Sequence, residues 1–426
     1  MARALYGLVV MLLLPFALAR LAWRARRQPG YLEHLGERFG AAPLADEAPV
    51  LWIHAVSVGE TRAAAPLVTR LSRDYPHAKI LLTHMTPTGR ATGVELFGDR
   101  VTRAWLPWDA RFAVRRFLAR TRPAFGILLE TEIWPNLLAE CRALQIPVFL
   151  VNARLSARSA AGYARVASLA REALANLAGI AAQTKDDADR LEALGAREVA
   201  VTGNIKFDLD VPVDTETKAA TLRALLGEGR RVWVAGSTRE GEEALLIEAI
   251  DTAGFDPDIL VVFVPRHPQR FDEVAALLGT RGRPVPRRSL GEAVPAQARY
   301  ALGDSMGEML AYYRAADLVV VGGSFLPLGG QNLIEACAVG RPVLFGPHTF
   351  NFEAAAEAAI ERGAGLRARD AAHAVAIAKE LLGDAPRRAR MGEAALAFAR
   401  DNRGALGRLE AWLAPRLPAI RGPGRG

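Results

Sequence analysis

The chain has 426 residues, 51% of them hydrophobic and 23% charged, which is too long for one ordinary core and predicts two globular domains. Its net charge of +8 indicates an anionic partner, such as a phosphate-bearing ligand, nucleic acid or an anionic membrane surface, and does not choose among them. Only two cysteines occur, Cys141 and Cys337. Because they are far apart and lack metal-ligand spacing, neither a disulfide framework nor a zinc site is supported, and a reducing, cytoplasmic setting is predicted.

The first element in chain order is an uncharged apolar run, Leu5–Ala19, close to the roughly 20 residues that cross a bilayer. The triplet Ala17-Leu18-Ala19 is compatible with signal-peptidase cleavage, so export is the alternative interpretation. A basic cluster directly after an apolar run favours an uncleaved anchor, because it keeps the following domain on the cytoplasmic side. This cluster consists of Arg20, Arg24, Arg26 and Arg27. Residues 1–27 are therefore predicted to form a membrane anchor with a basic stop.

A short stretch after the anchor carries apolar residues at spacings that favour one helical face: Tyr31, Leu32, Leu35 and Phe39. Such a face either lies on lipid or packs on the first domain, and the spacing does not decide between them. Arg38 lies in the same stretch. With the arginines of the anchor, it is predicted to add attraction to an anionic leaflet.

Farther along the chain, short apolar runs alternate with Ala/Leu/Arg-rich helical stretches, which is typical of parallel sheets covered on both faces. In the first half, strands are predicted at Val50–Ser57, Ile80–Thr86, Arg103–Trp108, Phe125–Glu130, Val148–Asn152, Ile180–Gln183 and Val199–Gly203. A polar segment over residues 208–218 interrupts this alternation of strands and helices. The alternation resumes with strands at Val232–Gly236, Leu260–Pro265, Ala298–Leu302, Leu318–Gly322 and Val343–Phe345. The pattern predicts an α/β fold of two Rossmann-like halves, residues 28–207 and 208–420, and a disordered tail over residues 421–426.

Polar motifs follow the predicted strands of the first half at their carboxyl ends, where ligands bind in parallel α/β sheets. The stretch HAVSVGE, His54–Glu60, leaves the first strand through small residues and places Glu60 where a helix begins. A glutamate in a first helical turn also complements the helix dipole, so this position alone predicts no chemistry. Two further motifs, Glu130-Thr131-Glu132 and Gly203-Asn204-Ile205-Lys206, follow other strands. Two half-sites that face each other across a cleft would bring such motifs together.

The second half carries two glycine-containing turns that favour a nucleotide site. In LGDSMGEML, a helix that begins near Gly307 would direct free N–H groups at an anion. In GGQNLIEA, glycines let the backbone approach a phosphate, and Glu335 lies where it can bind a ribose diol. Such turns occur in any α/β protein, but two of them with Arg266 and His267 in one half predict nucleotide binding. Neither a Walker lysine loop nor a GxGxxG motif occurs, so ATP hydrolysis and hydride transfer lose support.

Two Asp-x-Asp triplets have a form that can hold a divalent ion on a nucleotide diphosphate: Asp208-Leu209-Asp210 and Asp256-Pro257-Asp258. Such triplets are common by chance, and both lie in polar connecting stretches, so they are predicted to be solvated loops. The charge of a leaving group would then be stabilised by helix ends and by Lys206 or Arg266.

Seven segments together resemble the 3-deoxy-D-manno-octulosonic acid (Kdo) transferases of lipopolysaccharide assembly. They are WIHAVSVGE, LLETEIWPNLL, TGNIKFD, GSTREGEE, PRHPQRF, GDSMGEMLAYYRAADLVVVGGS and GGQNLIEACAVGRPVLFGPHTFNF. The resemblance runs from the anchor to about residue 400 in the family's order and spacing. The first and last of these segments are the most specific.

The resemblance implies a GT-B glycosyltransferase with an acceptor-binding domain over residues 28–207 and a CMP-Kdo-binding domain over residues 208–420. It implies inverting transfer of Kdo from CMP-Kdo to a tetraacylated, phosphorylated glucosamine disaccharide (lipid IVA), with release of CMP and without a metal or other cofactor. The implied partners are this donor, this lipid A precursor and the inner membrane, reached through the amino-terminal anchor from the cytoplasmic side, with no nucleic acid.

Matched position by position, the resemblance makes Glu60 the general base, which the neighbouring helix end is expected to keep ionised. Glu130 and Lys206 match positions that stabilise the transition state. The segments that match CMP-binding residues comprise Arg266, His267, Gly307, Glu308, Met309, Asn332, Leu333, Ile334 and Glu335. Two alternatives remain open: another GT-B transferase or epimerase that uses a UDP-sugar, and a non-catalytic, membrane-tethered nucleotide- or sugar-binding protein.

Overall fold

The chain divides into two compact units in the computed structural model, which describes residues 2–26, 28–43, 48–209, 211–254, 256–279 and 285–420. Unit 1 comprises Met1–Asp208 and Gly404–Gly426, and unit 2 comprises Leu209–Arg403. Some sequence-based predictions concern residues outside the described ranges: Arg27, Asp210 and the tail over residues 421–426.

Unit 1 is built on a parallel sheet of seven strands in the order β3-β2-β1-β4-β5-β6-β7. The strands are β1 (Val50–His54), β2 (Lys79–His84), β3 (Val101–Trp105), β4 (Pro123–Leu129), β5 (Val148–Ala153), β6 (Gly179–Ala182) and β7 (Val199–Val201). The helices are α1 (Ala2–Ala25), α2 (Val58–Asp74), α3 (Pro87–Phe97), α4 (Arg111–Thr121), α5 (Pro135–Ala143), α6 (Ala157–Ala164), α7 (Ala167–Ala175) and α8 (Lys185–Ala193).

Unit 2 has the same plan, with a parallel sheet of six strands in the order β10-β9-β8-β11-β12-β13. Its strands are β8 (Arg231–Thr238), β9 (Ile259–Pro265), β10 (Tyr300–Leu302), β11 (Leu318–Val321), β12 (Val343–Phe345) and β13 (Gly365–Arg367). Its helices are α9 (Thr215–Leu226), α10 (Glu242–Ala253), α11 (Phe271–Gly279), α12 (Met309–Ala315), α13 (Ile334–Ala338), α14 (Glu353–Glu361), α15 (Ala371–Gly383) and α16 (Ala385–Asp401).

Both faces of each sheet are covered, as the apolar runs predict. In β1, Leu51 and Ile53 pack in the core on one face while Trp52 packs in the core on the other, and all three are fully buried. A strand with helices on both faces needs apolar residues at successive positions, because adjacent side chains point in opposite directions. The predicted α/β fold of two Rossmann-like halves is therefore confirmed, and each of the twelve predicted strands overlaps an observed one.

The end of the chain returns to unit 1 as α17 (Ala405–Leu413). Asp208 caps this helix, because its carboxylate accepts hydrogen bonds from the backbone N–H groups of Gly404 and Leu406. Trp412 then packs edge-on against Phe149, with 6.0 Å between ring centroids. The predicted domain over residues 208–420 thus ends at Arg403 in the structure, and Asp208 is a helix cap in place of a residue of a solvated loop.

Helix α1 is long and apolar enough to cross a membrane, which agrees with an anchor at this position. The stretch after it forms two short 3-10 turns, Pro29–Tyr31 and Leu35–Phe39, and no continuous helix. Tyr31 is buried against α1, and the buried Arg38 guanidinium stacks on the Trp105 ring at 4.3 Å. This stretch therefore packs on unit 1, and the expectation that Arg38 faces an anionic leaflet was wrong.

Removal of the α17 cap should loosen the carboxyl-terminal helix. Asp208→Ala deletes both acceptors for the first N–H groups of α17, so we expect the free energy of unfolding to fall by about 0.5–2 kcal/mol. Equilibrium unfolding and amide hydrogen exchange of α17 measure this change. Asp189→Ala is the control: it removes an exposed ion pair with Lys185 in the same unit and should change stability by less than about 0.5 kcal/mol. Equal, small effects of both variants would contradict the capping role.

Candidate active site

The strand order of unit 1 reverses at β1, which lies between β2 and β4. Such a reversal opens a crevice beyond the carboxyl ends of the two central strands, here β1 and β4. The segments that follow these strands are His54–Glu60 and Glu130–Glu132, because β1 ends at His54 and β4 ends at Leu129. The topology therefore brings together two polar motifs that lie about 70 residues apart in the sequence.

A capping box holds the Glu60 side chain at the amino end of α2. Ser57 is the N-cap residue; its Oγ accepts a hydrogen bond from the Glu60 backbone N–H, and its hydroxyl donates to Glu60 Oε1 at 3.0 Å. The backbone N–H of Val56 donates to the other carboxylate oxygen, Oε2, at 2.8 Å. Glu60 is only 8% exposed. The carboxylate is thus fixed in one position in a nearly dry environment.

Burial, together with the negative charges of Glu130 and Glu132, raises the pKa of Glu60 to about 8. The hydrogen bonds from Val56 and Ser57 act in the opposite direction and are outweighed. The expectation that the helix end keeps Glu60 ionised was therefore wrong at neutral pH. At pH 7, a group with this pKa is ionised in roughly one molecule in ten. A carboxylate of this kind is a strong base when it is deprotonated.

Glu130 follows β4 in a left-handed backbone conformation, with φ of 64°, which non-glycine residues rarely adopt. Lys206 forms an ion pair with it, with 2.6 Å between Nζ and Oε1. The buried Asn152 positions the lysine segment: its Oδ1 accepts a hydrogen bond from the Ile205 backbone N–H, and its own φ is also positive, at 51°. Strained backbone of this kind clusters at functional sites.

Glu132 is held by two aromatic side chains. The Trp134 indole N–H donates to Glu132 Oε2 at 2.7 Å, and His54 Nε2 lies 3.5 Å from the same oxygen. The other ring nitrogen of His54, Nδ1, lies 2.9 Å from the hydroxyl of Thr83. Nδ1 also lies 3.1 Å from the Thr83 backbone carbonyl, which can only accept, so a neutral His54 carries its proton on Nδ1. His54 is fully buried and its ring lies against Glu132.

Two buried glutamates brace the loops at the carboxyl ends of the central strands of unit 2. Glu242 accepts hydrogen bonds from the backbone N–H groups of Arg239, Gly323 and Phe325, which ties the loop after β8 to the loop after β11. Glu243 accepts two hydrogen bonds from Arg270, at 2.9 and 3.0 Å. This buried pair fixes the segment after β9, which carries Arg266 and His267.

The structure gives Arg266 and His267 a strongly basic setting. Arg266 follows β9, and its backbone N–H donates to Thr238 at the end of β8. Burial lowers the pKa of His267, and the charges of Arg239, Arg266 and Arg270 lower it further. A histidine with a lowered pKa is neutral at physiological pH. The segment can therefore offer an anion the positive charge of arginine together with neutral imidazole.

Residues Gly307–Met309 form a tight turn at the start of α12. The helix begins at Met309, slightly later than predicted, and Gly307 has φ of 75°. The Glu308 carboxylate accepts a hydrogen bond from the Ser305 hydroxyl at 2.6 Å and pairs with Arg288 at 3.1 Å. Met309 is half-buried.

Asn332 organises the second predicted nucleotide segment. Its Oδ1 accepts a hydrogen bond from the Ile334 backbone N–H at 3.1 Å, and its Nδ2 donates to Glu335 at 3.2 Å. The side chains of Leu333 and Ile334 are buried in the core, so these two predicted site residues have only backbone groups to offer a ligand. Gly329 and Gly330 both have positive φ in the turn before Asn332.

Tyr313 is a residue of this region that the sequence analysis did not identify. Its ring is fully buried against Gly236, where an added Cβ would lie 2.3 Å from a ring carbon. Burial raises the pKa of Tyr313, the charge of Glu335 raises it further, and Ser237 and Arg266 lower it. Tyr313 therefore lies beneath Arg266 and Glu335. Asn152, His54 and Glu242 were also not identified as functional, because their roles depend on contacts with distant segments.

Comparison with known proteins identifies the family. Residues 33–209 match the family model described as 3-Deoxy-D-manno-octulosonic-acid transferase (kdotransferase). A 3-deoxy-D-manno-octulosonic acid transferase of Bordetella pertussis is 48% identical over 433 residues, covering 97% of this chain and 100% of that protein. The corresponding protein of Haemophilus influenzae is 37% identical over 421 residues, covering 97% of this chain and 99% of that protein.

A solved structure agrees with the two-unit α/β fold. The UDP-GlcNAc 2-epimerase of Neisseria meningitidis bound to UDP-GlcNAc covers 86% of this chain and 100% of its own, with a TM-score of 0.56. At 14% sequence identity this likeness concerns the fold alone, which is that of GT-B proteins. With two relatives that match nearly its whole length, the chain belongs to the 3-deoxy-D-manno-octulosonic acid transferase family of glycosyltransferases.

Proposed function

We propose that the protein transfers Kdo from CMP-Kdo to a hydroxyl group of a tetraacylated, phosphorylated glucosamine disaccharide, with inversion and without a metal. Membership of the family supports this reaction class. The observation on which the proposal depends most is the Glu60 carboxylate, which is buried at the switch point of unit 1 with a pKa of about 8. A non-catalytic binding protein has no need for a desolvated, strongly basic carboxylate at this position.

The transfer is a single displacement. The acceptor oxygen forms a bond to the anomeric carbon of Kdo as the bond from that carbon to the phosphate oxygen of CMP breaks. CMP leaves with the electron pair of that bond, and the proton of the acceptor hydroxyl passes to Glu60. A base of pKa about 8 takes this proton more readily than an ordinary carboxylate.

Glu130 and Lys206 form an ion pair beside Glu60, and we assign them to transition-state stabilisation. The anomeric carbon becomes cationic as the bond to phosphate breaks, and a carboxylate such as Glu130 stabilises that charge. Lys206 holds Glu130 in place and offsets part of its repulsion of Glu60. Loss of the lysine would leave two carboxylates without this offset.

Unit 2 is the proposed donor-binding unit. Arg266 supplies positive charge for the phosphate of CMP, and Glu335, held by Asn332, is placed to bind the ribose hydroxyls. His267 and the turn Gly307–Met309 complete the proposed binding segments. Leu333 can contribute through its backbone N–H, because its side chain is buried, whereas the Ile334 N–H already donates to Asn332 and helps to hold that residue in place.

Helix α1 is proposed to hold the protein at the cytoplasmic face of the inner membrane, where the lipid acceptor is found. Support comes from its length and apolar composition and from the arginines that follow it, of which Arg20, Arg24 and Arg26 are described and exposed. An anionic leaflet attracts such residues by roughly 1 kcal/mol each.

Transfer of Kdo to the lipid acceptor, followed by mass spectrometry of the product, tests the proposed reaction directly. A mass increase by one or more Kdo residues with release of CMP is expected. Tight binding of UDP in place of CMP would favour a transferase or epimerase that uses a UDP-sugar.

The Glu60→Gln variant should lose turnover while it retains the donor. We expect kcat to fall by about 10²-fold or more, because a positioned general base contributes roughly 10²–10⁴-fold. The Kd for CMP, measured by calorimetry, should stay within a factor of about two, since the proposed CMP-binding segments lie in unit 2. Glu95→Gln, an exposed glutamate of α3, is the control and should retain wild-type turnover. Normal turnover of Glu60→Gln would refute the general-base assignment.

Glu130→Gln should change the pH dependence of the remaining activity. In the wild type, kcat/KM should rise with pH up to about 8, because Glu60 must be deprotonated to act as a base. Removal of the Glu130 charge favours the ionised form of Glu60. The rise of kcat/KM with pH should therefore occur at lower pH in the variant than in the wild type. Kinetics between pH 5 and pH 9 measure the shift, with Glu95→Gln as the unshifted control. If kcat/KM rises over the same pH range in the variant and in the wild type, the ionisation of Glu60 does not limit the rate in this range.

Arg266→Ala and Glu335→Ala should act mainly on the donor. Each variant removes a proposed contact to CMP-Kdo, so donor affinity should fall by about tenfold or more, the effect of losing one charged contact. Acceptor affinity should stay unchanged in the same titrations. Arg362→Ala, which removes an exposed ion pair with Asp401 in the same unit, should alter neither affinity. A fall in acceptor affinity with normal donor affinity would reverse the assignment of the two units.

A further inference from the structure

Helix α1 lies lengthwise on unit 1. The residues of one stripe recur every three or four positions and are buried or half-buried: Arg3, Tyr6, Gly7, Val10, Leu14, Ala17, Leu21 and Ala25. The Tyr6 hydroxyl donates a hydrogen bond to Asp109 at 2.9 Å, and Arg3 pairs with Glu172 at 3.3 Å. Gly7 faces Asn136 of α5. The helix is therefore docked along the unit by specific contacts.

The opposite side of α1 is exposed and almost wholly apolar. Its members are Leu5, Leu8, Val9, Met11, Leu12, Leu13, Phe16 and Trp23. A contiguous apolar surface of this size on a docked helix is typical of contact with lipid. If α1 anchors the protein as proposed above, this side of unit 1 is the one that faces the membrane.

A cavity of about 440 Å³ lies in unit 1 beside α1. Tyr6 of α1 forms one wall, and Trp134 and Pro135 at the start of α5 form another. Residues between and within α6 and α7 complete it, among them Val166, which is 49% exposed. Thr131 and Glu132, which directly follow Glu130 of the candidate active site, also line it. The cavity thus extends from α1 to the segment that directly follows Glu130.

Three polar groups in the cavity wall are already hydrogen-bonded, so the wall offers a ligand mainly carbon surface, together with the Tyr163 ring and hydroxyl and the Glu132 carboxylate. The Tyr6 hydroxyl donates to Asp109, the Thr131 hydroxyl donates to the backbone carbonyl of Arg154 at 2.8 Å, and the Trp134 indole N–H donates to Glu132. The other lining residues include Ile133, Val166, Leu169, Ala170 and Ala173. Away from Glu132 and Tyr163, a sugar or phosphate in this space would lose hydrogen bonds to water without replacement, whereas a hydrocarbon chain would gain by leaving water.

We propose that this cavity binds one acyl chain of the lipid acceptor, an inference that rests on the proposed function. The chain lies between α1 and α7, and the sugar that carries it lies at the Glu132 end. Glu132 is near enough to Glu60 for its charge to raise the pKa of Glu60. An acyl chain held in this way therefore directs an acceptor hydroxyl toward the proposed base.

The occupant is a chain of the acceptor and not of a bulk phospholipid. The end of the cavity at Glu132 is negatively charged, which disfavours the phosphate of a phospholipid and suits a sugar hydroxyl that can donate a hydrogen bond to the carboxylate. The volume is also within the range of pockets that enclose one small ligand, about 300–1,000 Å³. One chain, and not the whole lipid, is accommodated.

Ala170→Phe tests the proposal, because Ala170 is buried in the cavity wall and a larger side chain there shortens the space. The readout is kcat/KM for the tetraacylated acceptor divided by kcat/KM for the same disaccharide without fatty acids. This ratio should fall by about tenfold or more, the effect of excluding two or more methylene groups. Ser168→Phe, at an exposed position of the same helix, should keep the wild-type ratio. An equal loss of activity with both acceptors, or a retained ratio in Ala170→Phe, would overturn the proposal.

A second variant and a binding measurement test the same cavity assignment in case the Ala170→Phe protein does not fold. Leu169→Ala enlarges the cavity and should shift the preference toward acceptors with longer acyl chains; an unchanged preference would count against the proposal. An acceptor with brominated acyl chains should quench Trp134 fluorescence, measured as the difference between the wild type and Trp134→Phe, and brominated phospholipid vesicles should not. Equal quenching by both lipids would assign the cavity to bulk lipid. Quenching by the acceptor without Kdo transfer would refute the proposed function and leave the cavity assignment standing.

Discussion

The buried carboxylate of Glu60 is the constraint on which the rest of unit 1 depends. A carboxylate with 8% exposure has lost most of its water, so the protein must replace that water with fixed donors. Val56 supplies a backbone N–H because the chain leaves β1 through a short loop, and Ser57 supplies a hydroxyl because it caps α2. The small residues of HAVSVGE therefore follow from the need to surround one carboxylate with donors.

This arrangement reduces stability at neutral pH. The folded protein binds the Glu60 proton up to a pH of about 8, whereas the unfolded chain releases it near the ordinary value of 4.5. Between these values the folded state binds more protons than the unfolded state, so the contribution of Glu60 to stability declines as the pH rises and reaches its minimum above 8. The pair between Lys206 and Glu130 limits this loss, because it keeps one of the neighbouring carboxylates from acting on Glu60 with its full charge. The raised pKa on which the proposed base role of Glu60 depends is therefore maintained at the expense of folding free energy.

The sequence predicted the strands well because both faces of each sheet are buried, which leaves runs of apolar residues such as VLWIH. It missed β13, a three-residue edge strand with one large apolar residue, Leu366. It also placed residues up to 420 in the second domain, because α17 is an ordinary amphipathic helix whose docking depends on Asp208, nearly 200 residues away. The ionisation of Glu60 could not be predicted from its position at a helix end, since burial and two neighbouring charges outweigh that local effect.

The two units place their buried and half-buried charges differently, and the difference matches the tasks proposed for them. In unit 1, Glu60, Glu130 and Lys206 lie at the candidate site itself, where the proposed reaction moves a proton and stabilises a positive charge. In unit 2, Glu242 and the pair between Glu243 and Arg270 lie below the loops and bind backbone N–H groups or each other. Binding a nucleotide requires only that loops and their arginine be held in place before the ligand arrives, since rigid loops lose little entropy on binding. Under the proposed function, the charges of unit 1 therefore serve the reaction, whereas the buried charges of unit 2 serve the geometry of the proposed binding loops.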